Sequence, residues 1–119
     1  MSTIIRAACS IKHINDEVFK AAAKETSENL GMSFHDANRR VNLAGKNQDV
    51  SFTWQEGGQN LEWSHDNMRN KDDCERVVKK VEQQYISTMA IAAAEECGFN
   101  LGSFDELDDG SMRAQLEAF

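Results

Sequence analysis

The side chains with chemical reach here are three histidines, three cysteines, a short basic stretch and two tryptophans. His13, His35 and His65 are scattered, and none stands four residues from another metal-type ligand on a helix. A zinc centre needs three or four ligands converging on one point, so a packed or solvated histidine is expected at each position. His65-Asp66 with Cys74 is the one combination that could approach a metal. Cys9, Cys74 and Cys97 are odd in number, widely spaced and free of any C-x-x-C pairing. That is neither a disulfide framework nor a redox motif. A nucleophilic cysteine needs a lowered thiol pKa. Cys9 falls on an apolar face, Cys97 ends an expected helix at its negative pole, and Cys74 has Asp72, Asp73 and Glu75 around it,. The segment Asp105-Glu106-Leu107-Asp108-Asp109-Gly110 is acidic enough to suggest calcium. Aligning Gly110 with the sixth position of a calcium loop, however, puts Leu116 where a bidentate glutamate belongs,. Glu95-Glu96 and Asp108-Asp109 are sequence neighbours that point apart, unlike a working acid–base pair,. No nucleophile elbow, Walker loop or dinucleotide fingerprint is present,. No cofactor is expected, and an enzyme ranks last among the functional readings.

One constellation stays open. Arg39, Arg40 and Lys46 are the main basic cluster of an acidic chain, and they precede a hairpin that carries Trp54 and Trp63. Guanidinium forks beside aromatic planes can hold a nucleotide-like or carboxylate ligand. Tyr85, on a later helix, completes the candidate ligand-binding set of Arg39, Arg40, Lys46, Trp54, Trp63 and Tyr85. The plainer alternative makes the tryptophans core, the arginines solvated, and Tyr85 a core residue with its hydroxyl at the rim.

The elements that would position these groups follow from periodicity. Ile5, Ala7, Cys9 and Ile11 alternate with polar or small residues, which predicts a half-buried strand,. Asn15 or Asp16 can cap a helix over residues 16–30, whose apolar positions include Val18, Phe19, Ala22 and Ala23, with Gly31 as its stop,. Within residues 32–48, Val41 and Leu43 suggest one short strand before a turn at Gly45-Lys46-Asn47,. Val50, Phe52 and Trp54, then Leu61, Trp63 and His65, alternate on either side of Gly57-Gly58 and predict a hairpin with one apolar face,. Asp72-x-x-Glu75 resembles a capping box for a long helix over residues 73–97, which Gly98 ends, with Phe99 supplying the apolar cap contact,. A last hairpin follows, turning at Asp108-Asp109-Gly110-Ser111. The expected fold is α+β: a two-layer, mainly antiparallel sheet with two helices packed on one face, in the order β-α-β-β-β-α-β-β, as a single domain over residues 1–119.

A chain of 119 residues with 40% hydrophobic and 28% charged residues supports one core and argues against disorder,. Its formal net charge is −7. Residues 1–47 hold seven Lys/Arg and five Asp/Glu, while residues 48–119 hold six and fifteen. Such acidity repels phosphate backbones, so neither nucleic acid nor an anionic membrane is the expected partner. No apolar run reaches the roughly 20 residues of a membrane span, and the first residues lack the pattern of a secretory signal,. The expected location is the cytoplasm, or the plastid stroma if the chain is plastid-encoded.

Three stretches carry a family resemblance: Val81-Glu82-Gln83-Gln84-Tyr85, Ala92-Ala93-Ala94-Glu95-Glu96-Cys97-Gly98-Phe99-Asn100, and Asp108-Asp109-Gly110-Ser111-Met112-Arg113. Over residues 76–119 the chain resembles a small conserved open-reading-frame family of plastids, cyanobacteria and some bacterial viruses, a domain of unknown function. The resemblance implies the same α+β fold and carries over no catalytic residue. Function is therefore read from the surface. A non-enzymatic module that docks on another protein or self-associates, as a homodimer, comes first. A small protein that binds or sequesters a nucleotide-like or anionic ligand, of viral origin in one version, is the alternative.

Overall fold

A computed structural model describes residues 4–66, 69–106 and 112–118, with side chains described through residue 98. Strand β1 (Ile4–Ala8) leads to helix α1 (Asp16–Asn29). Strands β2 (Ser33–Ala37), β3 (Arg40–Ala44), β4 (Asp49–Gln55) and β5 (Gln59–Asp66) then meander, and helix α2 (Lys71–Glu96) precedes strands β6 (Phe99–Glu106) and β7 (Met112–Ala118). The fold is α+β and the order of strands and helices is the expected one, with one further strand. That strand, β2, lies where residues 32–48 had suggested a single strand. Four of its five residues are exposed, so burial leaves almost no period-two signature to read.

The five-stranded sheet runs β1-β5-β4-β3-β2, and every neighbouring pair is antiparallel. Strands β6 and β7 form a two-stranded sheet of their own. The expected turn Asp108–Ser111 and the side chain of Phe99 lie outside the described residues.

Both helices supply the apolar layer over the five-stranded sheet. Phe19, Ala22 and Ala23 of α1 and Cys74, Val77, Val78, Val81 and Tyr85 of α2 are buried with Val41, Leu43, Val50, Phe52, Trp54, Leu61 and Trp63 of the sheet. Cross-strand pairs make that face continuous: Val41 opposes Phe52, Leu43 opposes Val50, and Phe52 opposes Trp63. Phe19 is the hub, meeting Phe52, Trp54 and Tyr85 with ring centroids 5.2, 5.6 and 5.7 Å away. Strand β1 sits at the sheet edge, and Ile5 and Ala7 are exposed there while Cys9, just beyond it, is buried. The alternation of residues 5–11 thus has only its second half in the core.

The caps explain the helix bounds. Asn15 accepts the Val18 amide at 3.1 Å and starts α1. Asn70, and not the expected Asp72 box, caps α2 by accepting the Asp73 amide at 3.1 Å. The helix begins two residues earlier as a result, and Asp72 and Asp73 fall in its first turn, where the helix dipole favours them,. The β4–β5 connection is a single 3₁₀ turn over Glu56–Gly58. Gly58 has φ +74°, and a Cβ there would stand 2.0 Å from the Ile14 carbonyl oxygen. That position takes only glycine, because the turn packs directly on the chain entering α1.

Candidate functional site

Strand alternation sorts the six predicted ligand residues onto different surfaces. Trp54 and Trp63 point into the helix-covered face and are 5% and 6% exposed. Trp54 meets Phe19 edge-on and has the Lys20 ammonium 6.0 Å from its ring centre. Trp63 stacks on His65 at 5.3 Å. Arg40 opens β3 on the opposite, uncovered face, where its Nη2 donates to Ser51 Oγ at 3.3 Å. Arg39 occupies the β2–β3 turn with φ +53°, and its carbonyl accepts the Trp54 amide at 3.2 Å. Lys46 is exposed in the next turn, and its carbonyl accepts from Arg69 Nη1 at 3.4 Å. Tyr85 is buried in α2, and its hydroxyl accepts the Asn15 amide at 3.0 Å, tying α2 to the cap of α1. The sheet itself therefore separates the indoles from Arg40, and the six residues do not converge on one site. Sequence spacing brought Arg40 near Trp54, but alternation puts them on opposite sides.

The titratable groups are placed as follows. Cys9 is buried, and burial first, then the carboxylates of Glu82 and Glu62, push its thiol up to about 12. Cys74 is also buried, which raises its thiol pKa in spite of an opposing hydrogen bond with the Asp49 backbone. Neither cysteine has the depressed pKa a nucleophile needs. Cys97 is exposed. His13 is exposed, with Nε2 2.8 Å from the Gly57 carbonyl oxygen. His65 is buried, and its Nδ1 lies 2.9 Å from the Asp66 carbonyl oxygen. Its Nε2 and the Trp54 Nε1 are buried with no hydrogen-bond partner among the described residues. Among those residues no three His, Cys, Asp or Glu side chains gather as a metal would require, and no helix is long and apolar enough to cross a membrane.

Two surfaces stand out, and neither is marked by a sequence motif. The first is the C-terminal half of α2. Residues 74–85 of the helix supply its core contacts, and beyond Tyr85 only Ala94 is buried. The remaining stretch, Ile86-Ser87-Thr88-Met89-Ala90-Ile91-Ala92-Ala93-Ala94, carries no charge. Ile86, Met89 and Ile91 are 39%, 40% and 43% exposed. An exposed helix normally has a charged face, and one apolar on all sides is normally covered. Met89, Ala92 and Ala93 continue the apolar helical spacing of Val77, Val78, Val81 and Tyr85,. The apolar period thus runs on past the point where burial stops.

The second surface is the uncovered face of the five-stranded sheet. Arg6, Ser64, Ser51, Asn42 and His35 follow one another in register across all five strands. Over the Arg6, Ser64, Ser51 and Asn42 part of this row lies a depression of about 420 Å³, which Arg40, Asp49, Thr53 and Asp66 also line. Asn42 Nδ2 donates to Asp49 Oδ1 at 2.8 Å and to Ser51 Oγ at 3.0 Å. This face is polar enough to stand uncovered. Its side chains are largely polar and are stable against water.

The pattern of a family described as "Protein of unknown function (DUF1257)" matches residues 17–114. The match extends well beyond the C-terminal third that carried the resemblance. No curated protein and no solved structure matches the chain.

Proposed function

Because the chain belongs to the DUF1257 family of proteins of unknown function, we propose from its own surface that it is a non-enzymatic docking module, with the C-terminal half of α2 as the docking element. The observation that carries this reading is the uncharged helical stretch from Ile86 to Ala94, with its large apolar residues about two-fifths exposed. Exposed apolar patches on soluble proteins mark interaction sites, and an amphipathic or apolar helix laid into a groove is a common recognition mode.

Charge selects the partner. Residues 86–119 hold one basic residue against seven acidic ones. A second copy meeting this segment would bring two strongly acidic surfaces together. A protein with an apolar groove rimmed by Lys or Arg complements it, and the charges would steer association. The occupant proposed is therefore a basic protein partner.

The test places a photo-crosslinking residue at Met89 and, as a control, at exposed Lys24 in cells that express the protein naturally. A discrete basic protein should crosslink from position 89 and not from position 24. The product should disappear in the Ile86→Asp, Ile91→Asp double variant and weaken with added salt. Crosslinking only between copies of this chain would replace the reading with self-association. Equal crosslinking from both positions would refute it.

A further inference from the structure

We propose that the uncovered sheet face binds a small zwitterion of the amino-acid class, with its carboxylate held between Arg6 and Arg40 and its ammonium directed to Asp49 and Asp66. This site is independent of the helical docking element.

The floor of the depression is made of short hydroxyl side chains. Ser64 of β5 opposes Ser51 of β4, and Thr53 stands one step further along β4 on the same face. These short residues, with longer ones on the strands to either side, leave a trough, and Glu62, opposite Thr53, stands outside its lining. Arg6 on β1 opposes Ser64, and Arg40 on β3 opposes Thr53, so the two guanidiniums flank the floor from opposite sides. Arg6 makes no hydrogen bond or ion pair among the described residues, and Arg40 makes a single long one to Ser51. Two under-used guanidinium forks facing a hydroxyl floor suit an oxyanion.

The acids decide which oxyanion. Asp66 lies opposite Ile4 on the row beyond Arg6, and Asp49 begins β4 at the same end of the trough. Two residues along a strand span about 6.7 Å, so the acidic end is set off from the basic one by roughly one such step. The trough has two cationic and two anionic residues in its lining. A dianionic phosphate would meet both carboxylates. A carboxylate with an ammonium several ångströms away meets a partner at each end.

The experiment is a titration of the ¹⁵N-labelled full chain followed by amide NMR shifts. The probes are γ-aminobutyrate, glycine, acetate and inorganic phosphate, all at constant ionic strength. γ-Aminobutyrate should shift the amides of Arg6, Ser51 and Ser64 and bind at least tenfold more tightly than acetate, with glycine between them. Arg6→Gln should weaken that binding at least tenfold. Asp66→Asn should remove the preference over acetate and keep acetate binding. Arg6 is exposed on an edge strand, so its substitution leaves the fold intact, and Arg40→Gln repeats the test from another strand. Absence of shifts at these amides, equal binding of acetate and γ-aminobutyrate, tighter binding of phosphate, or an unchanged affinity in Arg6→Gln would each overturn the proposal.

Discussion

Tyr85 has a structural role that its place on a helical stripe did not reveal. Its hydroxyl accepts the backbone amide of Asn15, the residue that caps α1. Tyr85→Phe keeps the ring packed on Phe19 but strands that amide, and should cost about 1 kcal/mol in urea denaturation. The thiols give a second test at this scale. Cys9 and Cys74 are buried and Cys97 is exposed, so one thiol of three should react with an aromatic disulfide reagent in the native protein, and all three after unfolding. The pH dependence has a definite sign. The folded chain holds the Cys9 proton up to about 12, above the ordinary 9.0. The unfolded chain releases it earlier, so stability is lost as pH rises from about 9 toward 12. Cys9→Ala should flatten that alkaline loss in thermal melts. Residue types alone placed both tryptophans correctly on one apolar face. They could not place Arg40, because its partner Ser51 is set by cross-strand register and not by sequence distance,.

At the scale of elements, α2 divides into two halves with different work. The first half is core: Cys74, Val77, Val78, Val81 and Tyr85 are all buried. The second half is uncharged from Ile86 to Ala94 and has almost no burial. Substituting Ile86 and Met89 by Glu should therefore leave global stability within about 0.5 kcal/mol, as for other exposed positions. Phe19→Ala, at the hub of the aromatic cluster, should cost about 3–5 kcal/mol,. Denaturant midpoints of the two variants measure the contrast directly. The length and direction of α2 were legible because its apolar period and Gly98 stop are local signals. Where burial along the helix stops was not, because that depends on what packs beneath it. Strand β2 was missed for the same kind of reason: its pairing with β3 is clear in the structure, but its residues face mostly water.

For the whole molecule, the sheet topology separates two units. Strands β6 and β7 pair only with each other, and β1 to β5 form a complete sheet with its own buried layer. A chain ending after Gly98 should keep its far-ultraviolet spectrum for that sheet and a melting temperature within a few degrees of the full chain. An isolated two-stranded hairpin contributes little stability by itself. Collapse of the truncated chain would show that the C-terminal hairpin supports the core. The α+β architecture and the order of elements were legible because each helix and hairpin carries its own period and turn. The division into two sheets was not, since alternation along a strand says nothing about which strand it pairs with.

The place of β1 has a kinetic consequence. Strands β2 to β5 are joined by short connections and can zip together from neighbours. Strand β1 must wait for β5, with Ile4 opposite Asp66 and Ala8 opposite Glu62, so its pairing closes the longest loop in the sheet. Loop closure of that span is slow and comes after local contacts form. Of the five strands of this sheet, the first in chain order is the last to be placed. Substitutions in β1 should speed unfolding and leave the refolding rate nearly unchanged, whereas substitutions at the β4–β5 turn should slow refolding.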